Sequence, residues 1–209
     1  MRLFCPWFFQ LVLGACAASF AMACVEGPTA LEGAAYFGLS DGAEHSYIRS
    51  NGLTEIHSYE RVSETEEEEV FERIARSGGF IVDDRTLTLE ATADGLYITR
   101  LHDCVTLCGE LSKDLLLFNW PIDDNVTLEQ SIDVTVTRNN VDEGAHTEDH
   151  RVVIGSEEER SINGTTYLGF DALWTRTIDD DVQSARLFVV PEVGIASLEG
   201  FDGVTLEIE

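Results

Sequence analysis

Short segments in which apolar and polar residues alternate constrain the fold of this chain more than any other feature. The clearest is Ser131–Thr137, where Ile132, Val134 and Val136 fall on one face and polar residues occupy the other. Alternation with a period of two is typical of a β-strand that buries one face. We therefore predict a strand over Ile132–Val136.

Similar segments recur along the chain and are separated by turn residues. They predict further strands at Thr86–Ala91, Leu96–Thr99, Val152–Ile154, Thr165–Leu168, Ala172–Thr175 and Leu187–Val190. Asn163-Gly164 is typical of a two-residue type I′ hairpin turn. Pro191 cannot donate a ladder hydrogen bond, so we expect an edge or a bulge within a strand over Leu187–Ile195.

The spacing of these segments predicts the fold class. No helical segment of ten residues alternates with the strands, which argues against a parallel α/β sheet. We expect a mainly β, single antiparallel meander domain, built as an incomplete barrel or curved sheet with at most one or two short helices.

One stretch allows two interpretations. Ser63-Glu64-Thr65-Glu66 matches a capping box, and Val70, Phe71, Ile74 and Ala75 share a helical face. These features make Thr65–Arg76 the strongest helix candidate. The alternative is a hairpin with arms at Glu55–Val62 and Val70–Arg76.

The first 23 residues have the pattern of a secretory signal. Arg2 precedes an apolar run that extends from Leu3 to Ala23 and ends at Cys24. The run is short for a transmembrane span. We predict a signal peptide at 1–23, an N-terminal tether at 24–33 and an antiparallel β domain at 34–209.

Two cysteines near the end of this segment bear on localisation. Ala21-Met22-Ala23 fits ordinary cleavage before Cys24, whereas Leu13-Gly14-Ala15-Cys16 resembles a bacterial lipobox. Lipidation of Cys24 or Cys16, ordinary cleavage and a retained anchor helix all stay open. We expect an extracytoplasmic protein, periplasmic or anchored to the outer membrane of a Gram-negative bacterium as a lipoprotein.

The acidity of the chain limits its partners. The sequence has 39 acidic and 13 basic residues, a formal net charge of −26. Such a chain lacks the cationic surface that phosphate backbones and anionic headgroups require, so we expect no nucleic-acid partner. The excess of carboxylates is typical of a well-hydrated surface.

Cys104 and Cys108 form a C-x3-C pair beside His102. In an oxidising compartment the simplest outcome is a disulfide that closes a small loop. Copper or redox chemistry is the alternative, and a zinc site is disfavoured because zinc prefers four ligands at tighter spacings.

The sequence predicts no catalytic residue, no metal site and no cofactor. It contains no nucleophile elbow, zincin motif, P-loop or dinucleotide fingerprint. His146 and His150 lie four apart, but we place them in a loop at Val141–His150 and expect them at the surface. We therefore expect a protein that is not an enzyme.

The order of motifs in the second half resembles a known family. The motifs are Leu115–Pro121, Val152–Glu157, Ile162–Leu173, Ala185–Ala196 and Gly200–Gly203. They are similar to those of uncharacterised bacterial extracytoplasmic proteins and lipoproteins whose half-barrel is similar to that of the outer-membrane lipoprotein carriers. The resemblance covers roughly residues 47–200 and implies an incomplete barrel around an apolar concavity, with no catalytic residue.

Together these features predict a non-enzymatic exported cell-envelope protein. Its partner would be an apolar ligand, or a lipoprotein or other envelope component, bound in a β-concavity. The alternatives are a structural envelope protein and a copper or redox protein that uses Cys104 and Cys108. The sequence leaves the oligomeric state open.

Overall fold

The computed structural model describes residues 29–209 except 66, 78–79, 104–106 and 139–140, and describes only the backbone of 80–86, 100–103, 107–108 and 138. Within this part of the chain there is one short helix and there are thirteen strands. None of the described helical residues forms a helix long and apolar enough to cross a membrane.

The chain order of the elements is simple. The helix is α1 (Ala30–Tyr36). The strands are β1 (Glu44–Arg49), β2 (Thr54–Glu64), β3 (Glu68–Ser77), β4 (Phe80–Thr92), β5 (Gly95–Asp103), β6 (Leu107–Leu111), β7 (Leu115–Asn119), β8 (Thr127–Arg138), β9 (Val141–Ile162), β10 (Thr165–Ile178), β11 (Asp181–Val190), β12 (Gly194–Glu199) and β13 (Thr205–Ile208).

The strands form one antiparallel sheet that curls into a nearly closed barrel. The sheet order is β4-β3-β2-β1-β13-β12-β11-β10-β9-β8-β6-β5-β7, and β4 also pairs with β5. One edge of β5 therefore meets β4, and the other edge meets β6 and then β7. This architecture confirms the predicted mainly β antiparallel fold with an incomplete barrel.

The predicted strands are confirmed where the alternation is strongest. Ile132–Val136 lies in β8, Val152–Ile154 in β9, Ala172–Thr175 in β10 and Leu187–Val190 in β11. The turn between β9 and β10 consists of Asn163 and Gly164, which both have positive φ (48° and 85°). Two central residues with positive φ define the predicted type I′ turn.

Three local predictions are wrong. The helix candidate Thr65–Arg76 is wrong and the alternative, a hairpin with arms at Glu55–Val62 and Val70–Arg76, is confirmed: β3 pairs with β2 and also with β4, and two ladders outweigh a local helical pattern. Pro191 lies in the turn that separates β11 from β12, so Leu187–Ile195 is two strands. The predicted loop Val141–His150 is the first part of β9.

Helix α1 plugs one end of the barrel. Thr29 caps it through a capping box with Glu32, and the helix contacts β3, β4 and β5. Tyr36 packs on Trp120 with ring centroids 4.2 Å apart, and Phe37 lies 5.9 Å from Phe118. We call this the plugged end. The helix spans the boundary predicted between residues 33 and 34.

The apolar core fills the barrel on the plugged side. Its members come from α1 and from strands all around the ring, and the largest fully buried ones include Phe71, Phe118, Ile98, Leu115, Ile132 and Ile154. A smaller cluster forms on the outer face, where the tip of the β9–β10 hairpin covers Phe188. The interior is therefore filled by the protein's own side chains on that side.

Candidate functional site

The interior changes from apolar to polar towards the other end of the barrel. Because neighbouring strands are antiparallel, the end of β1, the start of β2, the first part of β9 and the end of β10 lie at that end. Buried ionisable side chains point inward from these strands. In β2 and β9 they lie on the same strand face as core residues such as Tyr59 and Val152. We call this the polar end.

The first polar cluster consists of Arg49, Glu55 and His57. Glu55 accepts hydrogen bonds from Arg49 and, at 2.8 Å, from Nε2 of His57. The hydrogen bond from His57 is the main reason that the pKa of Glu55 is lowered, and it outweighs burial. Burial lowers the pKa of His57 to about 4, so its imidazole is neutral at pH 7.

Aromatic rings support this cluster. The Tyr47 ring lies 4.6 Å from the His57 ring, and its hydroxyl donates to the carbonyl of Ile195 at 2.9 Å. Burial raises the pKa of both Tyr47 and Tyr59, so both phenols stay protonated. The first polar cluster is thus locked into the wall formed by β1, β2 and β12.

The second polar cluster consists of His146, Glu148, His150 and Arg176. Glu148 is 3% exposed, and its two oxygens lie 2.8 Å from Nε2 of His146 and 3.1 Å from Nε2 of His150. Arg176 Nη1 lies 3.9 Å from Oε2 of Glu148. Burial alone raises the pKa of Glu148, but the contacts with both histidines and the charge of Arg176 reverse this, and the net pKa is lowered.

This second cluster does not fit a metal ion. The indole N–H of Trp174 donates to Nδ1 of His150 at 3.1 Å, so that nitrogen carries no proton. The other ring nitrogen, Nε2, faces Oε2 of Glu148 at 3.1 Å. In the described part of the chain, no group of three or more His, Cys, Asp or Glu side chains suits a metal ion.

An aromatic residue from a loop closes over this region. Phe201, between β12 and β13, packs on Trp174 with ring centroids 4.9 Å apart and lies under Arg176 at 4.8 Å. Arg176 also donates to Gln183 at 2.6 Å. Both carboxylates thus lie in contact with histidine and arginine side chains of the barrel wall, although within the described residues Oε2 of Glu148 accepts no hydrogen bond.

After the polar end, the second distinctive feature of the barrel is a gap between β7 and β8, which we call the seam. β7 lies beside the first half of β8 without a ladder, whereas in the described part of the chain the other neighbouring strands of the ring are paired. The side-chain amide of Gln130 bridges the gap. It accepts from the N–H of Leu116 at 3.1 Å and donates to the carbonyl of Leu116 at 2.9 Å.

The structure leaves the predicted cysteine sites untested. Cys16, Cys24 and Cys104 lie outside the described residues, and only the backbone of Cys108 is described, in β6 opposite His102 and Thr137. The disulfide and the lipidation stay predictions.

Sequence reasoning missed the polar end. His150, expected at the surface, points into the barrel and is 2% exposed, whereas His146 on the same strand face keeps 33% of its side chain exposed. The signal was the period of two that places His146, Glu148 and His150 on the same face as Val152 and Ile154. Comparison with protein-family models, with curated proteins and with solved structures found no match to this chain.

Proposed function

We propose that this chain is a non-enzymatic exported cell-envelope protein that binds an apolar ligand inside its barrel. The observation that carries the proposal is the seam, because it separates solvent from the apolar core by two side-chain hydrogen bonds instead of a ladder. A barrel with such a weak point can part locally while the rest of the ring stays paired.

The polar clusters support a binding role rather than catalysis. Glu55 and Glu148 are already engaged by histidine and arginine side chains, so neither is poised as a free general base. Each cluster keeps one stretch of the wall polar and rigid. An apolar ligand would therefore occupy the side of the interior near α1 and β7.

The N-terminus gives this binding site an orientation in the envelope. The cap of α1 is Thr29, five residues after Cys24, so the segment between Cys24 and the cap spans at most about 17 Å when fully extended. If Cys24 carries lipid, the plugged end faces the membrane. The polar end then faces away from it.

The filled core favours a second candidate, a structural envelope protein. Twenty buried residues in the described part of the chain form one interior cluster, and a ligand must displace some of them. A protein that only supports envelope assembly needs no such displacement. Copper or redox chemistry at Cys104 and Cys108 remains an alternative that rests on the sequence alone.

Native mass spectrometry of the protein purified from its host envelope tests the proposal. We expect a bound lipid-like molecule, released on unfolding, and an intact mass that reports processing at Cys16 or Cys24. A ligand-free protein that also takes up no fluorescent fatty acid would leave the structural role. Stoichiometric copper that is lost in a Cys104→Ser variant would favour metal handling.

A further inference from the structure

We infer that the seam between β7 and β8 is a lateral entrance for the acyl chain of a single-chain amphiphile, and that Gln130 is its latch. This inference rests on the proposed function and names the ligand class and its route. The argument begins with the hydrogen bonds across the seam.

Gln130 takes the place of a paired strand residue. Its amide exchanges one donor and one acceptor bond with the backbone of Leu116, as two opposed residues of an antiparallel ladder do. A side-chain amide can swing away by rotation about its own bonds, whereas a ladder must break as a unit. The seam can therefore open without unfolding either strand.

Other contacts close the seam at both ends and leave only its middle free. Towards β6, the N–H of Ser112 donates to the carbonyl of Asp133 at 2.8 Å, and the N–H of Asp133 donates to Oγ of Ser112 at 3.1 Å. Towards the plugged end, the loop of residues 120–126 joins β7 directly to β8. The opening between them is bounded by the five residues of β7, roughly 17 Å.

The two faces of the seam differ in polarity. Leu115 and Leu117 of β7 and Ile132 of β8 are buried behind it and belong to the apolar core. On the outer face Glu129 is exposed and forms an ion pair with Arg151 at 3.1 Å. A molecule that crosses the seam thus needs a narrow apolar chain for the interior and a polar group that stays in solvent.

The experiment measures seam opening and ligand entry separately. The probes are cis-parinaric acid, mixed with the mature protein in stopped flow, and hydrogen exchange at the amide of Leu116. Gln130→Ala removes the latch. Gln183→Ala is the matched control, because this half-buried glutamine of β11 bonds to Asp181 of the same strand and to Arg176 of β10, away from the seam.

We expect Gln130→Ala to speed both probe uptake and exchange at Leu116 about tenfold, the effect of losing roughly one net hydrogen bond's worth of stabilisation. Gln183→Ala should leave both rates unchanged. Gln130→Glu, which keeps the size but sets a carboxylate oxygen against the carbonyl of Leu116, should also speed both rates and serves if the alanine variant does not fold.

The outcomes separate the two proposals. Uptake by the wild type at a rate that Gln130→Ala leaves unchanged would overturn the entrance and leave the binding function standing. Faster uptake in both Gln130→Ala and Gln183→Ala would indicate general loosening and would also overturn the latch. No uptake by any form would overturn the proposed function and the entrance together.

Discussion

Replacing Glu148 with glutamine tests whether the second polar cluster stabilises the barrel wall. The substitution keeps the volume but leaves one oxygen to accept from His146 or His150, and it removes the negative charge beside Arg176. The new amide NH2 faces an imidazole N–H, so two donors oppose each other. A lost charged hydrogen bond and an unsatisfied buried donor together cost about 3 kcal/mol.

The assay is unfolding of the mature protein at pH 7, followed by circular dichroism. A urea titration gives the free energy of unfolding, and a thermal scan gives the Tm. A loss of about 3 kcal/mol corresponds to a fall in Tm of roughly 6–12 °C for a domain of this size. The matched control is Glu129→Gln, which breaks an exposed ion pair with Arg151 and should cost less than about 1 kcal/mol. Equal destabilisation by the two substitutions would refute the reasoning.

Three further predictions follow from the described contacts. Burial lowers the pKa of His57 to about 4. The free energy of unfolding should therefore fall by up to about 3 kcal/mol as the pH drops from 6.5 to 4. Urea titrations of the His57→Gln variant should lack that part of the fall. The Gly95→Ala substitution would place Cβ 2.2 Å from the carbonyl oxygen of Phe118, whereas the nearest contact in Gly155→Ala is 3.3 Å. The Tm of Gly95→Ala should therefore fall well below that of Gly155→Ala. Similar Tm values would contradict the close packing of β5 on β7. Trp174→Phe removes the donor to His150 and should cost about 1 kcal/mol in urea unfolding; no change would indicate that this hydrogen bond adds nothing to stability.

The strands were predictable because burial of one face writes a period of two into the sequence. Ser131–Thr137 shows this directly, and the turn at Asn163-Gly164 is fixed by the positive φ that both residues adopt. The segment Glu68–Ser77 misled because Val70, Phe71, Ile74 and Ala75 fit a helical face, and only its pairing with the neighbouring strands β2 and β4 decides between the two structures.

The seam and the polar end were not predictable in the same way. Whether Gln130 faces a ladder or a gap depends on which strand lies next to β8, and no local pattern records that neighbour. The inward direction of His57 and His150 was visible as a period of two. Arg49 and Arg176, which pair with Glu55 and Glu148, come from adjacent strands, and only the register of those strands brings each pair together.

Photo-crosslinking tests the central claim, an apolar ligand inside the barrel, most directly. A fatty acid with a diazirine near its methyl end would be bound to the mature protein, irradiated and mapped by peptide mass spectrometry. The account predicts labels on interior residues behind the seam, Leu117, Leu128 and Ile132. Labels confined to exposed apolar residues such as Leu168 and Val182, or no saturable labelling, would contradict it.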